Sequence, residues 1–140
     1  MREFAAVTTF SQKGYKQYGK KFLGTFLEHW DIDIWVYYEG TKPKGATRTK
    51  RVHWVDLDKD KDREAFLATD QAKESYNKTD YRFQAARFSH KVFALTDPKR
   101  LGKVKADWWI WLDADIVTYE RVDKEFLRTV CPEGFDGSYL

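Results

Sequence analysis

Apolar positions along this chain alternate between continuous runs and spaced repeats. The continuous runs, rich in β-branched and aromatic residues, predict four strands at residues 4–10, 31–38, 51–57 and 107–112. Strands that are apolar throughout are buried on both faces, which is typical of a parallel sheet covered by helices.

Between the strands, apolar residues recur at three- and four-residue steps, which indicates helices packed against the sheet. After a turn at residues 11–14, the first helical face comprises Tyr15, Tyr18, Phe22, Phe26 and Trp30. Further helical or amphipathic segments are predicted at residues 58–70, 81–95 and 120–130. Thr79 or Asp80 would cap the 81–95 helix, which ends before Pro98.

This alternation predicts an α/β fold, a three-layer sandwich around a mostly parallel, Rossmann-like sheet. The 140 residues, 42% of them hydrophobic, suffice for one domain spanning residues 1–140. The formal net charge of +3 is too small to indicate nucleic acid, so no such partner is expected. The lone Cys131 cannot form an internal disulfide, and no apolar run approaches membrane-spanning length. We therefore expect a cytoplasmic protein, or one held peripherally at the inner face of a membrane.

The segment WWIWLDADIVT carries the strongest candidate chemistry. Asp113 and Asp115 stand at the carboxyl end of the predicted fourth strand, where α/β sheets bind ligands. In an extended segment, side chains two apart point the same way, so the two carboxylates would converge. Hard oxygen ligands suit Mg²⁺ or Mn²⁺, and the small Ala114 would let a diphosphate approach the backbone. The alternative is a pair of solvated turn aspartates.

The preceding helix adds basic groups. Phe83, Arg87 and Lys91 are spaced by four and share one stripe of that helix. A helix that leads into the site strand could place both cations near a bound diphosphate. The alternative is that they form salt bridges on an exposed face.

Three other patterns are weaker. GYKQYGKK approaches a phosphate-binding loop, but Lys21 stands where a Ser or Thr must bind magnesium. A basic loop could bind an anionic acceptor or a lipid surface, although such runs are more often only solvated. Its cations are Lys42, Lys44, Arg48, Lys50 and Arg51. The three histidines have no metal-ligand spacing.

The segments VTTFSQKGYKQYGKKFLGTFLEHW, IDIWVYYEG, RFQAARFSHKVFAL and WWIWLDADIVT together resemble a GT-A-fold glycosyltransferase that uses nucleotide-sugar donors. The resemblance implies metal-dependent transfer, with Mn²⁺ or Mg²⁺ as cofactor and a nucleoside-diphosphate sugar as donor. The acceptor, a glycan, lipid or protein, is not identified. Only 25 residues follow Asp115, so the resemblance also implies the donor-binding half of a longer enzyme. Its open sheet edge would then favour a homo-oligomer.

The same resemblance assigns roles to residues near the first two strands. Thr8, Thr9 and Phe10 match the segment that lines the nucleoside pocket. Glu39 matches a position that contacts the base or the ribose.

Later in the chain, Arg87 and Lys91 match basic positions near the diphosphate. Asp113 matches the aspartate that reaches the ribose or a metal-bound water, and Asp115 matches the direct metal ligand. No catalytic base is assigned, and neither the donor base nor the sugar is specified.

Two other functions stay open. DADIV also fits the nucleophile motif of haloacid-dehalogenase-type phosphatases, in which Asp113 would attack phosphorus and Asp115 would act as acid and base. That motif normally lies on a first strand, whereas here it follows the fourth. The remaining alternative is a non-catalytic module that binds nucleotide sugars.

Overall fold

The computed structural model describes residues 3–74 and 84–138, and its centre is a parallel sheet. The four strands are β1 (Phe4–Ser11), β2 (Asp33–Glu39), β3 (Val52–Asp56) and β4 (Trp108–Trp111). Their order is β3-β2-β1-β4, and all neighbours run parallel. The predicted α/β class and the four predicted strands are confirmed, with ends shifted by one or two residues.

Helices cover both faces of this sheet. They are α1 (Gln12–Gly14), α2 (Lys20–His29), α3 (Lys61–Leu67), α4 (Asp70–Glu74), α5 (Ala85–Leu95), α6 (Pro98–Leu101) and α7 (Lys124–Val130). Phe22 and Phe26 of α2 and Leu127 of α7 share one core cluster with β1 and β2. Ala94 of α5 belongs to a second cluster, with Val7 and Tyr37 from the other side of the strands. The arrangement is consistent with a Rossmann-like fold.

The first helical region differs from its sequence pattern. A helix begins at Gln12, because Ser11 Oγ accepts a hydrogen bond from the Gly14 amide at 3.1 Å and caps it. A π-helical turn, Tyr15–Gly19, then joins α1 to α2. The wider turn shifts the register, so Tyr18, predicted to face the sheet, is 38% exposed and Gly19 is buried instead.

The predicted 58–70 helix is divided into shorter pieces. A 3₁₀ turn spans Leu57–Lys59, and α3 starts only after Asp60. The Asp60 carboxylate accepts from the amides of Asp62 and Arg63, both at 3.0 Å, and fixes this start. Asp60, which the sequence pattern placed inside a helix, is therefore the N-cap of α3. Of the predicted 81–95 helix, residues 81–83 and the caps Thr79 and Asp80 lie outside the described residues.

Among the described helices, none combines the length and apolar character that crossing a bilayer requires. Residues 14–21, which approach the phosphate-loop pattern, are helical rather than looped. Cys131 is buried at the end of α7 within the first core cluster.

Candidate functional site

The strand order reverses between β1 and β4, and this defines the candidate site. Chain connections lead outward in both directions from this pair, and ligands in such sheets bind beyond the carboxyl ends there. Val7 pairs with Trp111, and the Leu112 amide donates to Val7 O at 3.0 Å. The start of the D-x-D segment therefore lies beside Thr8 at the carboxyl half of β1.

Asp113 and Asp115 occupy a turn, not the extended segment that the sequence suggested. The Ile116 amide donates to Asp113 O at 3.3 Å, which closes the turn directly after β4. Both aspartates are exposed, whereas Ala114 between them is buried in the core. The turn thus presents both carboxylates to solvent. The expectation that they converge rested on an extended backbone, and this backbone is not extended.

Trp111, the last residue of β4, connects the acidic turn to helix α5. Its indole Nε1 donates to Asp113 Oδ1 at 2.7 Å. The Lys91 ammonium lies over the same ring, 5.0 Å from its centroid. Arg87, on the preceding helical turn, is exposed and donates to Gln84 Oε1 at 3.3 Å. Of the predicted stripe, Lys91 is therefore close to Asp113, while Phe83 lies outside the described residues.

The three β1 residues differ in their access to a ligand. Thr8 is fully buried, and its hydroxyl has no hydrogen-bond partner within the described part of the chain. Thr9 is half-buried. The Phe10 ring is 3% exposed and packs on Tyr15 and Trp54. Of the three, only Thr9 therefore has a side chain that a ligand could contact.

Glu39, at the end of β2, is held by two basic groups. His90 Nε2 lies 3.1 Å from the carboxylate, and an Arg63 nitrogen lies 3.9 Å from it. The hydrogen bond from His90 and the positive charge of Arg63 lower the pKa of Glu39, against the opposing effect of burial. Arg63 also donates to Asp58 at 2.9 Å and to His90 Nδ1 at 3.2 Å. An Nδ1 that accepts leaves Nε2 as the donor to Glu39.

A cleft of about 490 Å³ lies at the carboxyl ends of β2 and β3 and is lined by neither Asp113 nor Asp115. Several of its polar groups already have partners. The Tyr37 hydroxyl donates to Asp97 at 2.6 Å, and Asp56 and Asp60 cap the following helical turns. The exposed Asp113 and Asp115 beside β1 have fewer hydrogen-bond partners. We therefore take the strand-order reversal as the candidate site.

The donor set at the reversal fits a hard divalent cation only in part. In the described ranges, no group of three or more His, Cys, Asp or Glu side chains could hold a metal ion. Within the described residues, the Asp115 carboxylate has no hydrogen-bond or ion-pair partner. One oxygen of Asp113 accepts from Trp111, and its other oxygen does not take part in that bond. Two carboxylates suit Mg²⁺ or Mn²⁺ when ligand phosphates and water supply the remaining positions.

The sequence gives no signal for two residues that organise this region, Trp111 in an apolar run and Arg63 in a charged segment. His90 alone of the histidines lies close in sequence to candidate site residues, directly before Lys91, and the structure places it against Glu39.

The fold and site together define a Rossmann-like α/β protein with an acidic turn at the reversal of strand order. Comparison with protein-family models, with curated proteins and with solved structures gave no match.

Proposed function

We propose that this chain is a metal-dependent GT-A-fold glycosyltransferase, or the donor-binding half of one, that binds a nucleoside-diphosphate sugar. The observation that carries the proposal is the exposed Asp113 and Asp115 pair, after β4 and beside β1. This position is where α/β sheets of reversed strand order receive nucleotides.

In this proposal Asp115 holds Mn²⁺ or Mg²⁺, with Asp113 beside it. When bound, the ion neutralises charge on the diphosphate. Trp111 fixes the orientation of Asp113 through the 2.7 Å bond to one carboxylate oxygen and leaves the other oxygen for the ion or its water. Because only two protein ligands are offered, metal and nucleotide are expected to bind together rather than separately.

Lys91 and Arg87 act on the leaving group. As the glycosidic bond breaks, negative charge develops on the departing diphosphate. Lys91 is held over Trp111, next to the acidic turn, and Arg87 follows on the same exposed helical surface. Cations at this position stabilise the transition state more than the ground state, where the charge is less localised. The Thr9 hydroxyl and the Glu39 carboxylate remain the proposed contacts to the nucleoside.

Isothermal titration with UDP and GDP, with and without Mn²⁺, tests the proposal. We expect metal-dependent binding of at least one nucleotide and a loss of about tenfold or more in Asp115→Asn, which removes charge but not volume. The control is Asp31→Asn, an exposed acid before β2, at the opposite end of the strands. Binding that needs no metal, or that survives in Asp115→Asn, would contradict the proposal.

Turnover assays separate the proposal from its alternatives. Metal-dependent hydrolysis of the donor supports a transferase, whereas donor binding without hydrolysis supports a non-catalytic module. Hydrolysis of an aryl phosphate that depends on Asp113 would favour the phosphatase alternative.

A further inference from the structure

Charge is unevenly distributed along this chain. Residues 10–27 and 40–55 contain no aspartate or glutamate and together carry nine lysines and arginines. The other sixteen basic residues and all 22 acidic residues lie elsewhere, which gives the two segments +9 and the remainder −6. The small net charge therefore conceals a strong separation of charge.

The fold brings these two segments together. The Tyr15 hydroxyl, in the first segment, donates to Gly45 O at 3.2 Å and lies 3.4 Å from Thr47 Oγ1 in the second. Trp54 Nε1 donates to Thr47 O at 3.0 Å. The rings of Phe10, Tyr15 and Trp54 pack against one another at 5.6 to 6.0 Å. The loop between β2 and β3 is thereby fixed against the helical region that follows β1.

One of the nine cations has a structural role. Arg51 donates to the carbonyl groups of Leu27, at 3.3 Å, and Ile32, at 3.1 Å, and so holds the end of α2. Four exposed cations remain in the loop, Lys42, Lys44, Arg48 and Lys50. Four more are exposed on the helical region, Lys13, Lys16, Lys20 and Lys21. We call these eight the basic face.

No carboxylate of the described residues pairs with any member of the basic face. Lys42 lies over the Trp54 ring, 5.7 Å from its centroid, and remains exposed. Lysines and arginines on a helix or loop surface commonly pair with nearby acids. The eight cations of the basic face lie on two adjoining segments and have no such acids beside them. They therefore produce a positive field directed at solvent.

The loop also encloses a concavity. Gly45, at φ +68°, permits the turn in which the Ala46 amide donates to Pro43 O at 3.2 Å. The resulting space of about 390 Å³ is lined by Lys42, Lys44 and Arg48. This volume is large enough for one phosphate-bearing headgroup. Tyr18, 38% exposed among the helical lysines, is a side chain typical of the membrane interface.

We propose that the basic face docks the protein on a bilayer surface through anionic phospholipid headgroups. The cations of both segments contact the headgroups, and the loop concavity receives one phosphate. The acidic remainder of the molecule is repelled by the same surface, so the protein binds in one orientation. This inference does not depend on nucleotide binding, which is measured separately.

Flotation with lipid vesicles tests this proposal. Vesicles of neutral phosphatidylcholine are compared with vesicles that contain phosphatidylglycerol, at low and high salt. We expect binding only to the anionic vesicles and its loss at high salt. The loop variant Lys42→Gln, Lys44→Gln, Arg48→Gln, Lys50→Gln should bind about tenfold or more weakly. A second variant with glutamine at Lys13, Lys16, Lys20 and Lys21 should lose binding similarly.

The matched control replaces the exposed Lys59, Lys61, Lys99 and Lys103 by glutamine, which changes net charge equally outside the basic face. It should retain vesicle binding, and circular dichroism checks the folding of all three variants. Equal binding to neutral vesicles, equal loss in the control, or no vesicle binding at all would overturn the proposal. So would tighter binding to duplex DNA than to anionic vesicles at the same salt concentration.

Discussion

A single tryptophan side chain joins the two halves of the candidate site. The Trp111 indole donates to Asp113 and lies beneath the Lys91 ammonium. One residue therefore contacts both an acid of the turn after β4 and a base of α5. Neither contact is a packing requirement, since β4 needs only an apolar side chain at this position.

The substitution Trp111→Phe distinguishes the effects of the two contacts, because it keeps an aromatic ring under Lys91 but removes the hydrogen-bond donor to Asp113. We expect Mn²⁺-dependent nucleotide affinity to fall by about three- to tenfold, the value of one hydrogen bond. Isothermal titration measures the change. Trp109→Phe is the control, because its ring lies 4.1 Å from the Arg100 guanidinium and away from Asp113. Equal losses in both variants would show that β4 packing, not the indole donor, is responsible.

Glu39 makes the fold sensitive to acid. Its pKa is lowered by His90 and Arg63, so its ionised form stabilises the folded state. The sign follows from linkage: this stability is present above the unfolded pKa of about 4.3 and is lost as pH falls through the lower folded pKa. Glu39→Gln should therefore destabilise the protein at pH 7, by no more than roughly 0.5 kcal/mol because solvent screens this half-exposed carboxylate, and the difference should shrink as pH falls through the folded pKa.

Urea unfolding at a series of pH values measures this difference. Glu120→Gln, at an exposed position outside the helices, is the control and should match the parent protein throughout. A Glu39→Gln deficit that stays constant down to low pH would contradict the assignment to ionisation.

At the scale of elements, the sequence specified more of the fold than of the site. Continuous apolar runs identified all four strands, because a strand that is buried on both faces is apolar at every position rather than at alternate ones. It could not reveal the π-helical turn at Tyr15–Gly19, which depends on how Gly19 meets Phe10 across the interface. Nor could it reveal the turn at Asp113, because D-x-D spacing is the same in a strand and in a turn.

Two glycines of the first helical region are expected to respond differently to alanine. A Cβ on Gly19 would lie 3.1 Å from the Phe10 ring, whereas one on Gly24 of α2 would meet nothing within 4 Å. Gly24→Ala should raise the free energy of unfolding by about 0.5–1 kcal/mol through reduced freedom of the unfolded chain. Gly19→Ala should instead lower it by about 1 kcal/mol. Thermal and urea unfolding compare the two, and equal gains would contradict the close approach to Phe10.

For the whole molecule, strand β4 is one of the two edges of the sheet, and β3 is the other. Among the described residues, Trp108–Trp111 pairs with β1 alone. No charge within this strand protects its free edge from another strand. A homo-oligomer that covers this edge stays a prediction from the sequence.

Sedimentation velocity over a range of concentrations provides the test. We expect the mass to rise from 16.6 kDa toward twice that value. Amide exchange of Trp108–Trp111 should slow in parallel, because strand pairing protects these groups. A constant monomer mass, with exchange independent of concentration, would show that the edge is not used between copies.

The position of β4 beside β1 also has a consequence for how the site comes into being. The two strands are joined at their beginnings by the Glu3 amide and Asp107, partners 104 positions apart in the chain. Closing so long a loop is slow, because the chain loses conformational entropy before the contacts that stabilise the pairing have formed. For the proposed nucleotide site, recovery of binding during refolding should therefore lag behind recovery of the helical signal, because that site needs the long-range pairing of β4 with β1.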